Sequence, residues 1–285
     1  MDKIKILVCA HKIDPNTRNQ GVYHAIQVGK ALHPELDMGY LNDNTGDNIS
    51  TKNPYWCELT ALYWGWKNLK DVEYAGLCHY RRYFGINITE TNIDNLLNGY
   101  DMITIKQNSK MLSKSERPVN LIKMTSYEDY YLYMDTLLAV YPQYKKEIIN
   151  YYYNSRLSVP YTMFVARKEI YDEFCEFIFP VFFEIEKRMK PHSYTRQKRS
   201  MGYFGEFSLG LFIACKNLKI REVPLDMCGK IRTTQKFSLH SLYKSALMKL
   251  WDLFMLAERI PDEIVVPEAV MVGFKQDGIE LRALK

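Results

Sequence analysis

Residues 74–84, YAGLCHYRRYF, decide how this chain is read. The apolar run Tyr74–Cys78 has the length and composition of a buried strand. It stops abruptly at His79, Arg81 and Arg82, interleaved with Tyr80 and Tyr83. Two guanidiniums and an imidazole are too much charge for a core. At the end of a strand they suit the rim of a site for an anionic ligand. Phosphate is the natural candidate, because Arg presents a planar fork of donors matched to it. A solvated surface turn is the plainer alternative.

Working outward, residues 4–10, IKILVCA, form a continuous apolar run, the pattern of a central strand covered on both faces. It ends at His11-Lys12 and a polar loop with Asp14-Pro15-Asn16. An opening strand followed by a loop is the usual start of a nucleotide-binding α/β fold, whose ligands sit beyond the carboxyl ends of the strands. Residues 42–53, NDNTGDNISTKN, are small and polar, with a turn at Gly46 and caps at Asn48, Ser50 and Asn53. Pro54 then suits the first turn of a helix running from Tyr55 to about Asn68, with Leu59, Leu62, Tyr63 and Trp66 on one face.

Further strands are expected at Tyr100–Ile105, Tyr161–Ala166 and Ile220–Pro224. Helices are expected at 126–153, broken at Tyr141-Pro142, and at Lys168–Met189. Residues 107–120 lack periodicity and read as a lid or acceptor loop, and 190–200 as a basic loop. The alternation of strands and helices argues for an α/β core. Past Leu225 the pattern changes to a helix at 237–258 and short β-like pieces at 265–284. The expected division is therefore a domain over 1–225 and a C-terminal helical extension over 226–285.

Composition sets bounds. The 285 residues are 47% hydrophobic and 25% charged, which suits a globular chain with a sizeable core. A net charge of +5 fits an anionic small molecule or an acidic membrane surface and is too weak for a nucleic-acid partner. The 22 tyrosines suggest clefts and sugar platforms. The six cysteines form no CxxC and read as buried hydrophobes of a reduced compartment. The start, MDKIKILVCAHK, does not read as a signal peptide, so the expectation is a cytoplasmic protein.

Three constellations carry chemistry. The 42–53 loop offers amides, carboxylates and backbone N–H groups for ribose, sugar or phosphate. Glu58 follows near a helix start, where capping explains it and a sugar hydroxyl is the sharper alternative. Glu206 is the only acid in RSMGYFGEFSLGLF. An apolar setting raises a carboxylate pKa, which suits a general base, and the flanking Gly202 and Gly205 would let a substrate approach. No HExxH, Walker A, GxGxxG or GxSxG is present, which disfavours zinc hydrolases, P-loop enzymes, dinucleotide enzymes and α/β-hydrolases.

Taken together, DNTGDNIS-KN at 43–53, ELTALYWGWKN at 58–68 and GLCHYRRYF at 76–84 resemble a family of bacterial capsule and O-antigen glycosyltransferases, long described as a domain of unknown function and including galactofuranosyltransferase-like members. YPQY at 141–144, MFVARKEIYDEFCEFIF at 163–179 and R-MGYFGE at 199–206 extend the resemblance over roughly 4–225. It implies a GT-A-like fold, a mixed central sheet flanked by helices, and transfer of a hexose, galactofuranose among the candidates, from a UDP-sugar to a cell-surface glycan. On this chain His11, Lys12, Asp43, Asn44, Asp47, Asn48, Asn53, Glu58, His79, Arg81 and Arg82 would line the donor site. Tyr161, Thr162, Met163 and Arg199 would line the acceptor site.

Where many GT-A enzymes carry a metal-binding DxD, this chain has HYRR. Arg81 and Arg82, with His79, would then face the departing diphosphate in place of a metal. Asp43, Asn44 and Asp47 are the groups left for Mg²⁺ or Mn²⁺. The expected mechanism is inverting, with Glu206 taking the proton of the acceptor hydroxyl. Leu242, Leu250, Trp251, Leu253 and Phe254, with Lys244 and Lys249, suggest a helix that contacts the inner membrane surface and a lipid-linked acceptor, or packs on the core. The alternative function is a non-catalytic nucleotide-sugar or polysaccharide-binding module.

Overall fold

A computed structural model describes residues 2–106, 116–155, 157, 159–190, 197–232 and 261–285, together with 242, 243, 246, 247 and 250. At its centre is β1 (Ile4–Ala10). Ile4, Ile6 and Val8 enter one core cluster, and Leu7 and Cys9 the other. Alternate residues of a strand point to opposite faces, so an unbroken apolar run requires cover on both sides.

The strand expected at 74–78 is β4 (Tyr74–His79), parallel to β1 with Ile6 opposite Gly76. On the other flank of β1 lie β2 (Tyr23–Gln27) and β3 (Leu41–Asn42), both parallel to their neighbours. Neither was expected, because YHAIQ mixes polar and apolar residues and LN is too short to show a period. Beyond β4 come β7 (Phe164–Arg167), β6 (Met102–Ile105) and β8 (Ile220–Val223). Only β7 runs against the rest, so the seven-stranded sheet, ordered β3-β2-β1-β4-β7-β6-β8, is mixed. The carboxyl ends of β1, β2, β3 and β4 and the start of β7 therefore share one edge.

The helix expected from Tyr55 to Asn68 is two helices, α1 (Asn53–Trp56) and α2 (Leu59–Asn68). The break falls at Cys57, at φ 51 and ψ −130. Asn53 Nδ2 donates to the Cys57 carbonyl at 2.8 Å, and Thr60 Oγ1 at 3.2 Å, in place of continued helical bonding. Beneath β4, α3 (Ile93–Leu96) and a small sheet of β5 (Tyr83–Phe84), β9 (Leu225–Met227) and β10 (Lys230–Arg232) cover one face. The other face takes α2, α4 (Glu116–Met124), α5 (Tyr127–Val140), α6 (Lys145–Tyr153), α7 (Lys168–Arg188) and α8 (Ser200–Lys216).

Several sequence expectations change here. Residues 116–120 belong to a helix, and the remainder of the loop expected at 107–120 lies outside the described residues. Tyrosines build the core more than a sugar platform. Tyr74, Tyr83, Tyr130, Tyr133, Tyr151, Tyr152 and Tyr171 are fully buried. Tyr133 stacks on Phe204 at 4.5 Å while its hydroxyl bonds Ser208 and Tyr152, so the ring is dry and the polar tip satisfied.

The C-terminal residues return to this core. A helix, α9 (Glu268–Gln276), stands where β-like pieces were expected, and it buries Val270 and Phe274. The buried Asp135 carboxylate accepts from the N–H groups of Arg282, Ala283 and Leu284 at 2.8, 2.7 and 3.0 Å, and pairs with Arg188 at 3.0 Å. Most of the helix expected at 237–258 lies outside the described residues. Among the described residues, no helix is long and apolar enough to cross a membrane.

Candidate active site

A cavity of about 680 Å³ opens beyond the carboxyl ends of β1, β2 and β4. Cys9 and His11 reach it from β1, Gln27 and Val28 from β2, and His79 to Arg82 from β4. Asn53, Pro54, Cys57 and Glu58 supply another part of the wall, and Arg199 and Glu206 come from α8 and its start. Of the residues singled out in the sequence, His11, Asn53, Glu58, His79, Arg81, Arg82, Arg199 and Glu206 are thus brought together.

Glu206 reaches the cavity because α8 lies close against the α1–α2 junction. A Cβ on Gly205 would stand 2.8 Å from Leu59 Cδ2, and one on Gly202 3.0 Å from Cys57 Sγ. The glycines thus serve helix packing rather than substrate approach. Burial pushes the Glu206 carboxyl up to about 7, and the charge of Glu58 adds to this, against the opposing pull of Arg82 and Arg199. Glu58 is buried at the start of α2, and burial raises its pKa too. Thr162 Oγ1 donates to Glu58 Oε1 at 3.4 Å.

His79 Nε2 donates to the Tyr161 carbonyl at 2.6 Å. A carbonyl can only accept, so Nε2 carries the proton and Nδ1 of the neutral ring is an acceptor. Burial pushes its pKa down from the usual 6.5. His79 therefore stands as a neutral acceptor at physiological pH and not as a cation facing phosphate.

The arginines differ in what holds them. Arg81 spends Nε and Nη2 on Asp14 Oδ2, at 2.8 and 2.7 Å. Hydrogen bonds from Asn16 and from Arg81 hold the Asp14 carboxyl down to about 2. Arg82 lies over the Tyr161 ring at 4.3 Å, and Arg199 Nε points to Cys57 Sγ at 3.2 Å.

Other expected site residues lie elsewhere. Asp43 is fully buried and accepts from Gly29 N, Lys30 N, Ser50 Oγ and Thr60 Oγ1 at 2.8, 3.1, 2.5 and 2.7 Å. Its carboxylate ties the loop together and has little capacity left for a ligand. Asp47 accepts from the Tyr63 hydroxyl, Asn48 closes a local turn on Gly46, and Asn44 and Lys12 are exposed outside the cavity wall. Tyr161 and Thr162 stand behind the wall as props for His79, Arg82 and Glu58. Met163 is buried in the core under the sheet.

The sequence reading missed Cys9, Gln27, Val28, His33, Leu36, Pro54, Cys57, Tyr80 and Met227 as wall residues. Gln27 and Val28 follow from β2 once that strand is known. Cys57 leaves no local signal: its contact with Arg199 joins residues 142 positions apart.

The model of the family described as "Domain of unknown function (DUF4422)" matches residues 5–217. The chain belongs to this family. That span contains the motifs at 43–53, 58–68, 76–84 and 199–206, with Glu58, Arg82, Arg199 and Glu206 among them. Among solved structures, the chain is similar to the apo structure of the WbbM bifunctional glycosyltransferase, with a TM-score of 0.70 and 25% identity over 83% of this chain and 47% of that one. The chain thus spans about half the length of that protein. No curated protein matches. The mixed sheet with helices on its faces is a GT-A-like α/β fold.

Proposed function

We propose that the protein is a glycosyltransferase that moves a hexose from a UDP-sugar, galactofuranose being the first candidate, to a hydroxyl of a growing bacterial cell-surface glycan. The observation that carries this reading is the Glu206 carboxylate, poised near neutral pH in the same cavity as two guanidiniums that form no ion pair with a carboxylate among the described residues. The likeness to a glycosyltransferase supports it.

In the proposed inverting step Glu206 takes the proton of the acceptor hydroxyl. The acceptor oxygen attacks the anomeric carbon from the face opposite the leaving group, and the bond from that carbon to the phosphate oxygen breaks. The electron pair leaves with the nucleoside diphosphate, whose new charge needs fixed positive groups. Glu58, with Thr162 behind it, suits a sugar hydroxyl, and neutral His79 offers a further acceptor through Nδ1. A cytoplasmic enzyme peripheral on the inner membrane, meeting a lipid-linked acceptor, is the setting we infer.

In this reading arginine side chains, in place of a divalent ion, meet the charge of the diphosphate. Among the described residues, no three His, Cys, Asp or Glu side chains converge where an ion could sit, and Asp43 is already saturated by protein donors. Turnover is therefore expected to survive EDTA. Loss of activity in EDTA that Mn²⁺ restores would refute this.

The test of function is release of UDP from a panel of UDP-sugars, including UDP-galactofuranose, with a glycan acceptor. Glu206→Gln should lower turnover by roughly 10²-fold or more. UDP-sugar binding with no transfer to any acceptor would instead mark a binding module.

A further inference from the structure

Within this reading of the protein as a nucleotide-sugar transferase, we propose that Arg82 and Arg199 form the clamp for the donor's diphosphate, and that Arg81 holds a neighbouring loop. The sequence alone makes Arg81 and Arg82 equivalent. The structure separates them by what each guanidinium has already spent.

Arg81 binds Asp14 through two of its nitrogens, and that carboxylate is further fixed by the backbone and side-chain amides of Asn16. Its charge is neutralised and its fork is occupied. It ties the β1–β2 loop to the exit of β4. Arg82 and Arg199 have no carboxylate partner among the described residues. Arg82 offers the face of its guanidinium to Tyr161, which leaves the N–H edge for another ligand. Arg199 uses Nε on the Cys57 thiol and keeps both terminal nitrogens. A pair of terminal nitrogens is the geometry that binds phosphate bidentately.

The props of these two side chains are the second observation. Cys57 has φ 51, Tyr161 φ 68 and Thr162 φ 52. L-residues with side chains rarely adopt such backbone, and it persists where the surrounding structure over-determines it, most often at ligand sites. Each prop serves a cavity group: Cys57 holds Arg199, Tyr161 holds Arg82 and His79, and Thr162 holds Glu58. The side-chain partners of Arg81, Asp14 and Tyr80, do not lie at positive φ, and Cys228, at φ 55, meets only the Arg81 carbonyl, through its thiol at 3.6 Å.

The charge balance agrees. Rupture of the bond between the anomeric carbon and phosphate leaves the electron pair on the departing oxygen, and the diphosphate gains one negative charge. Two guanidiniums that form no ion pair among the described residues meet it. The same two cations act on Glu206, which places base and leaving-group site within one electrostatic field.

Titration calorimetry with inorganic pyrophosphate, UDP and uridine tests the clamp. Wild type should bind pyrophosphate and UDP. Arg82→Ala and Arg199→Ala should each weaken both by about tenfold or more and leave uridine within about twofold. Unchanged uridine binding shows that the variants are folded. Arg199→Lys and Arg82→Lys, which keep charge but lose the fork, should fall between wild type and alanine. Alanine variants that bind pyrophosphate like wild type would overturn the clamp, as would a larger loss in Arg81→Ala than in either. If wild type binds pyrophosphate as tightly as UDP and ignores uridine, and the two alanine variants lose pyrophosphate, the clamp stands and the uridine-nucleotide reading falls. If wild type binds neither anion, both fall.

Discussion

Glu206 shows how one residue can be legible in a sequence for a reason that the structure then replaces. It stood out as a lone acid in an apolar run, and that run is the buried face of α8. The glycines beside it turned out to admit Cys57 and Leu59, and that close packing is what sets Glu206 beside Glu58. Its folded pKa of about 7 lies above the ordinary 4.5, so the folded protein holds a proton there that the unfolded chain releases. Stability from this group is fully present below about pH 4.5 and is lost as pH rises through about 7. Glu206→Gln should therefore raise Tm at pH 8, by an effect on the order of 3 kcal/mol or less, and change it little at pH 4, as thermal unfolding would show. Turnover has the opposite dependence. kcat/KM should fall as pH drops through about 7, because the protonated carboxyl is no base. A flat profile from pH 5 to 8 would remove Glu206 from that role.

At the scale of elements, close approach is the recurring device. A Cβ on Gly76 would stand 2.7 Å from the Phe164 carbonyl oxygen, so β4 and β7 meet only because residue 76 lacks a side chain. Gly205 does the same between α8 and Leu59. Leu59 is fully buried and has little room to move, so Gly205→Ala should overpack the junction at a cost of about 1–3 kcal/mol. It should also displace Glu206 from the cavity, lowering kcat beyond the share that unfolding explains. Urea midpoints and kinetics on the same sample separate the two effects. Continuous apolar runs made β1 and β4 readable, whereas β2 was hidden because His24 and Gln27 interrupt its pattern. The helix break at Cys57 was equally hidden. It depends on Asn53 and Thr60 reaching one carbonyl, a local contact that no hydrophobic period records.

Over the whole molecule, the C-terminal residues close the fold. Ile264, Val266, Val270, Phe274 and Leu284 join the larger core cluster, and Asp135 gathers three successive backbone N–H groups beside Arg188. Removing that carboxylate leaves a buried cation and three donors without their partner. Asp135→Ala should cost about 3–5 kcal/mol, read as a lower urea midpoint, with UDP affinity retained in the folded fraction. The order of apolar and polar runs was enough to imply an α/β core with a site beyond the strand ends, since an unbroken apolar strand must be covered on both faces. Local pattern also brought His79, Arg81, Arg82 and Glu206 forward, because charge at the edge of an apolar run has few other uses. Only the tertiary structure decided which of those groups remain available. Arg81 meets Asp14 across 67 positions and Arg199 meets Cys57 across 142, and the pairing that spends or spares a charge is a property of space that neighbours in sequence do not carry.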